Sequence, residues 1–341
     1  HIKYDFFSEW LNHVRAATGK ELFAVGEFWD RDVNDLHHYI TATGGVMSLF
    51  DAPLHYNFAD ASNGSGSYDM RTLMDNTLMK DNPTKAVTLV DNHDTQPCQA
   101  LASPVQDWFK PLAYAFILLR EEGYPNVFYA DYYGATYDDC GSITLQSHKT
   151  VIDKLLKVRK DYAYGTQHAY MDNWDIIGFT REGNAQHPES LAVIMSDGPG
   201  GTKWMYTGRP NTTYTDQLGN QSGTVTTNAD GWGEFRVGGG SVSAWVGSET
   251  TPGQWERTVI FVLGPSVDGQ DMFVRGGIDH GYAAANLGKN CTSSNFECAI
   301  PIRHNNLRNA TTSGWKANEN YLDWYGSEPG QSSAAEGAPA D

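Results

Sequence analysis

Ala86-Val87-Thr88-Leu89-Val90-Asp91-Asn92-His93-Asp94-Thr95 is the stretch on which the fold turns. A β-prone, mostly apolar run leads directly into acids, and the pattern repeats upstream in Leu22-Phe23-Ala24-Val25-Gly26-Glu27-Phe28-Trp29. Short apolar runs bounded by polar turns read as buried strands. An acid just past such a strand lies at the rim where parallel α/β barrels hold their chemistry.

Around these strands, residues 1–160 alternate helical and strand patterns. Phe6, Phe7, Trp10, Leu11 and Val14 stand at helical spacing and stop at Gly19. Asp32 reads as an N-cap before Leu36, Tyr39 and Ile40, with Gly44-Gly45 as terminator. Val46–Phe50 reads as a strand, and Met70, Leu73, Met74, Leu78 and Met79 as one helix. After the strand Ala86–Val90 come a helix over Trp108–Arg120, a strand over Val127–Ala130 and a helix around Val151–Arg159. Four strands each followed by a helix imply a parallel sheet with right-handed crossovers. That is half of an eightfold barrel, with a free-standing flavodoxin-like sheet as the alternative. From about residue 165 short alternating segments separated by Gly, Asn and Asp turns (176–180, 191–195, 233–237, 241–246) predict an antiparallel β-sandwich. Ser248–Gln254 reads as a linker, Trp255 opens a third segment, and the Ser/Gly/Ala/Glu/Pro-rich tail from 327 reads as flexible.

The 341 residues carry a formal charge of −17 and no basic stripe, which argues against nucleic acid as a partner. No apolar run approaches the roughly 20 residues of a membrane helix. Ten Trp and 18 Tyr suit sugar stacking as well as a large core. Cys98 and Cys140 each follow an expected barrel strand and can meet at one rim, while Cys291 and Cys298 enclose a short polar loop. Neither spacing suggests zinc, and the set points to an oxidising compartment.

Two carboxylates at strand tips suit acetal hydrolysis, in which one acid protonates the leaving oxygen and a second carboxylate attacks the anomeric carbon or activates water. Glu27, beside Phe28 and Trp29, is the better acid, since an apolar setting favours its protonated form. Asp94, after His93, has donors to favour its charged form, and Asp91 competes for the same role.

These residues resemble those of the bacterial liquefying-type α-amylases, in the large family of retaining α-glucan hydrolases. The resemblance runs from His1 to about Val246. It rests on Gly26–Trp29, Ser48-Leu49-Phe50-Asp51-Ala52-Pro53-Leu54-His55, Val90–Gln96, Trp108-Phe109-Lys110-Pro111-Leu112-Ala113-Tyr114-Ala115-Phe116, Thr180-Arg181-Glu182-Gly183 and Asp197-Gly198-Pro199-Gly200-Gly201. It implies that Glu27 is the general acid/base and Asp94 the carboxylate that stabilises the transition state and distorts the sugar. His93 would hydrogen-bond the sugar at the cleavage point and Trp29 would line the cleft. His1-Ile2-Lys3 looks like the end of the segment that carries the family's nucleophilic Asp. His1 is thereby expected at the substrate and as one backbone ligand of a structural calcium whose other ligands lie upstream. A second calcium site is implied at Gly66, Tyr68, His168 and Asp197, weakened by Ala169 where the family has Asp. Ala130 stands where the family usually has Gly.

The resulting expectation is an α/β chain holding the C-terminal half of a (β/α)8 TIM barrel (1–162). An all-β Greek-key sandwich (163–248), a small β-rich module that is a candidate glucan binder (255–326) and a flexible tail (327–341) would follow. The implied function is endo-hydrolysis of α-1,4-glucosidic bonds in starch with retention, by a secreted, calcium-dependent monomer. Lacking the nucleophile, residues 1–341 alone are expected to be inactive. The alternatives are a maltooligosaccharide-forming exo-amylase or transglycosylase on the same scaffold, and a non-catalytic glucan-binding protein.

Overall fold

The computed structural model describes residues 3–248, 288, 300–301 and 321–322. His1, Cys291, Cys298 and the tail lie outside them, as do Trp255, Trp315, Trp324, Tyr325 and the Tyr321 side chain, the aromatic residues of the candidate glucan-binding segment. Residues 1–255 form one compact unit and 256–341 another. Of the second, two short strands pair antiparallel, Ile300–Pro301 with Tyr321–Leu322.

The first unit opens with helix α1 (Tyr4–Thr18), stopped by Gly19 in the left-handed conformation at φ 64°, the usual glycine C-cap. Strand β1 (Val25–Gly26) leads to helix α2 (Val33–Ala42), whose N-cap Asp32 accepts a bond from the Asn34 amide. Strand β2 (Ser48–Phe50) is followed by helix α3 (Ala52–Gly64), which the sequence reading missed. Eight of its side chains are buried, so it lacks the one-sided stripe that marks a surface helix. The single helix expected over Met70–Met79 is instead a 3-10 turn (Met70–Thr72) and the one-turn helix α4 (Leu78–Asp81). The carboxylate of Asp51 holds α3 and α4 together by accepting from the amides of Leu54, Leu78 and Met79.

Strand β3 (Ala86–Thr88) precedes helix α5 (Lys110–Leu119) and strand β4 (Tyr124–Pro125). Val127–Ala130, expected as the strand, is partly helical, since helix α6 spans Tyr129–Tyr133. The strand falls three residues earlier because Gly123, at φ 78°, lets the chain lie against Thr88; a Cβ there would stand 2.7 Å from Thr88 Cγ2. The sheet order is β1-β2-β3-β4, all parallel. Hairpin strands β5 (Ala135–Asp138) and β6 (Ser142–Leu145) pair only with each other among the described residues. Helix α7 (Lys149–Tyr162) closes this part.

The β part comprises β7 (Gln167–Tyr170), β8 (Ile176–Arg181), β9 (Leu191–Ser196), β10 (Gly201–Tyr206), β11 (Thr213–Asp216), β12 (Thr224–Thr226), β13 (Trp232–Val237) and β14 (Ser241–Ser248). A six-stranded sheet runs β12-β11-β14-β9-β8-β7, and β10 pairs with β13. Ala192, Ile194, Met205, Tyr214, Phe235 and Trp245 fill the space between the sheets. Every residue of β9 is buried, although alternation was expected. Its other face (Leu191, Val193, Met195), with Val242 and Ala244 of β14, joins the core that contains α5. A sheet covered on both faces loses the in/out pattern. Among the described residues no helix is long and apolar enough to cross a membrane.

Candidate active site

Because β1 and β3 are parallel and separated only by β2, the segments after them emerge on the same rim. Glu27 directly follows β1, and its Oε1 lies 3.5 Å from Asn92 Nδ2 on the turn after β3. That turn is built by its own side chains. Asn92 Oδ1 accepts from the amides of Asp94 and Thr95, and Thr95 Oγ1 accepts from the Asn92 amide. The Thr95 hydroxyl lies 3.0 Å from Asp91 Oδ1. Asp94 is half-buried, and His93 is exposed with Nε2 3.7 Å from Asp94 Oδ2.

Glu27 is exposed rather than enclosed by aromatic rings. Phe28 packs on Tyr39 with ring centroids 4.5 Å apart, and Trp29 donates from Nε1 to Tyr56 Oη at 2.9 Å. Both rings are engaged by their own side of the sheet, so the apolar setting expected for Glu27 is not formed by them. Trp29 also lies 5.5 Å from the ring of His55.

The competing acid, Asp91, faces inward. It is buried, 3.2 Å from Lys110 Nζ, and Lys110 also pairs with buried Asp131, which accepts from Tyr114 Oη at 2.7 Å. Burial raises the pKa of Asp91 to about 7, and Asp131 adds to the rise while Lys110 opposes it. His55 stands beside this group, with Nδ1 2.6 Å from the Val90 carbonyl. Burial lowers its pKa to about 4, so the ring is neutral at pH 7 and Nδ1–H donates to Val90. Sequence reading did not single out Lys110, Asp131 or His55 as parts of the site. A lysine and a histidine inside apolar strings were the available signal.

The Cys98–Cys140 disulfide, 42 residues apart in sequence, joins the segment after Asp94 to the tip of the β5–β6 hairpin, the meeting at one rim that was expected.

The residues expected to hold calcium divide. Gly66, at φ 89°, lies so close to Asp197 that a Cβ on it would be 3.0 Å from the Asp197 carbonyl, and the Tyr68 amide faces the Asp197 carboxylate without closing a hydrogen bond of normal geometry. Both carboxylate oxygens of Asp197 are buried without a hydrogen-bond partner. Burial and the nearby Asp175 raise its pKa to about 6. A buried carboxylate with two orphaned oxygens is one donor of the kind a hard cation takes. His168 is engaged elsewhere, with its Nε2 2.6 Å from Glu182 Oε1, and Ala169 is exposed. Among the described residues no group of three His, Cys, Asp or Glu side chains could hold a metal.

A family model described as "Alpha-amylase C-terminal" matches residues 192–246. The α-amylase of Geobacillus stearothermophilus is 61% identical over 254 residues, which cover 74% of this chain and 45% of that enzyme. The chain is a relative of the bacterial α-amylases. The α-amylase of Bacillus licheniformis is 54% identical over 249 residues, covering 72% of this chain and 48% of that one. The glucan 1,4-alpha-maltohexaosidase of Bacillus sp. (strain 707) is 53% identical over 249 residues, covering 72% and 47%. This α-amylase relative thus spans about half the length of these curated proteins. Its fold is shared with the α-amylase of Geobacillus thermoleovorans solved with acarbose, at TM-score 0.55 and 18% identity over 74% of this chain and 57% of that one.

Proposed function

We propose that this chain supplies the general acid/base, Glu27, and the transition-state-stabilising carboxylate, Asp94, for hydrolysis of α-1,4-glucosidic bonds in starch with retention of configuration. In this reading the four-stranded parallel sheet is the C-terminal half of a (β/α)8 barrel, residues 163–248 are the sandwich domain behind it, and the enzyme is a secreted monomer. The observation that carries the reading is the approach of Glu27 to the Asn92–Thr95 turn, 3.5 Å between Glu27 Oε1 and Asn92 Nδ2, on one rim of a parallel sheet, where barrel enzymes assemble their sites.

The mechanism follows from the placement. Glu27 donates a proton to the glycosidic oxygen as the bond to the anomeric carbon breaks, and takes one from water in the second step. Asp94, whose amide donates to the Asn92 side chain, faces the developing oxocarbenium charge. Exposed His93 hydrogen-bonds sugar hydroxyls beside it, and Trp29 forms a wall. The reading assigns no nucleophile within residues 1–341, so this stretch alone is expected to release no reducing ends from soluble starch.

Calcium is proposed at Asp197, beside Gly66 and Tyr68, where its charge would neutralise the buried carboxylate. The other residues proposed for metal are His168 and, outside the described residues, His1.

The test is a chimera in which residues 1–246 replace the matching part of the Geobacillus stearothermophilus enzyme. Starch hydrolysis is expected, and Glu27→Gln should lower it by about 10²–10⁴-fold. A Glu27→Gln chimera as active as its parent overturns the assignment. Product analysis separates endo-hydrolysis from exo-action or transglycosylation.

A further inference from the structure

Asp94 and the β5–β6 hairpin are joined twice, at two heights. The lower join is buried. Lys110 pairs with Asp91, at the root of the Asn92–Thr95 turn, and with Asp131, whose carbonyl accepts from the His148 amide just past the hairpin. The upper join lies toward solvent, where Cys98 is bonded to Cys140, Gln99 Nε2 donates to Asp139 Oδ2 at 2.8 Å and Tyr137 Oη donates to the Pro97 carbonyl at 2.7 Å. Between the joins, the Asp94 carbonyl accepts from the Leu101 amide, so a shift of residues 97–101 reaches Asp94 directly.

Three features single out the upper join. The hairpin pairs with no other strand among the described residues, and an isolated two-stranded hairpin is marginally stable in water. Cys98 sits at φ 68°, a backbone region glycine enters freely and a side chain enters at a cost, so its sulfur is kept where glycine would fit better. Cys140 is exposed, so a reductant can reach it, whereas Lys110 is sealed.

We propose that the Cys98–Cys140 disulfide is a releasable clasp that positions the His93–Asp94 turn, so that the affinity of the site for α-glucan depends on the redox state of this pair. The clasp stands on the geometry alone, and its effect on glucan rests on the function proposed above. Release proceeds by thiol–disulfide exchange. A thiolate of an external dithiol attacks Cys140 Sγ, the Sγ–Sγ bond breaks, and Cys98 leaves as a thiolate and takes a proton. The second thiol of the reagent then displaces Cys140, so the dithiol is oxidised by two electrons and both cysteines are reduced.

The experiment compares the full chain oxidised, reduced with dithiothreitol, and reoxidised, beside Cys98→Gly, which removes the sulfur while relieving the backbone. Peptide-level hydrogen exchange and maltoheptaose affinity are read for each. Reduction and Cys98→Gly should each speed exchange at least tenfold in 94–103 and 135–145 while leaving 191–196 unchanged. Both should weaken maltoheptaose binding at least threefold, and reoxidation should restore both readouts in the wild type only. Alkylation of Cys98 and Cys140 in the unreduced chain, or exchange indifferent to reduction, overturns the clasp. Faster exchange with unchanged maltoheptaose affinity overturns its positioning role. If the oxidised chain binds no maltoheptaose, affinity is read on the chimera of residues 1–246, whose failure to bind overturns the glucan reading, and the clasp is decided by hydrogen exchange.

Discussion

The parallel sheet and the sandwich hold themselves together by different means. The strands of the sheet are two or three residues long, and around it Phe23, Val25 and Tyr124 are exposed. To its apolar core it adds side-chain pins: Asp51 on three amides, Lys110 between two acids, His55 on Val90, Cys98 on Cys140. The sandwich has strands of six and eight residues in continuous ladders, β9 between β8 and β14, with Trp245 and Phe235 fully buried between its sheets. The lesson is that the candidate chemistry stands where short strands are backed by a large apolar core and fixed by a few buried polar groups, whereas long ladders hold the sandwich.

The sharpest way to break that comparison is to pull the largest pin. Lys110→Met leaves Asp91 and Asp131 buried without their cation, and is expected to cost about 3–5 kcal/mol in urea unfolding; a loss below about 1 kcal/mol would show that the trio is not a pin. Reducing Cys98–Cys140 should cost about 2–4 kcal/mol, because the bond closes a long loop, and a melting temperature unmoved by dithiothreitol would contradict this.

His55 gives a pH signature of the same kind. Its folded pKa, about 4, lies below the roughly 6.5 of an unfolded histidine. The unfolded chain therefore binds the extra proton between those values, and the stability associated with the neutral ring is complete above pH 6.5 and lost as pH falls toward 4. The advantage of the wild type over His55→Gln should shrink across that window by up to about 3 kcal/mol. An advantage constant with pH would mean that the ring is not buried neutral. The smallest effect belongs to the sandwich surface. Glu234 accepts from Thr202 across the β10–β13 pair, yet the ladder carries that pairing, and Glu234→Ala should change stability by no more than about 0.5 kcal/mol.

What the sequence made legible followed the same divide. Local signals were reliable here: Gly19 ends α1, Asp32 caps α2, and the two acids emerge on one rim because each follows a strand of the same parallel sheet. Signals set by the surroundings were not. Helix α3 is buried on several sides and shows no stripe, and β9 is covered on both faces and shows no alternation. The Met70–Met79 pattern had helical spacing, but Asp51 recruits Leu78 and Met79 into a separate turn. In the site, Glu27 as the acid and Asp94 as the charged carboxylate were read from their neighbours, while the roles of His93 and Trp29 rested on resemblance, and the inward orientation of Asp91 required knowing that Lys110, some twenty residues on, folds back beneath it.

Helix α5 has a further consequence for recombination. Apart from Pro111 it is buried along its length, packed against α7 and β4 on the parallel-sheet side and against β9 and β14 on the sandwich side. At its C-terminal end Arg159 and Arg181, from α7 and β8, donate to the carbonyls of Leu118 and Leu119. A crossover near residue 163 would therefore separate one helix from half of its neighbours. The sandwich is not an interchangeable cassette: exchanged between relatives, it should be inherited together with α5 or with a matched set of β9 and β14 side chains.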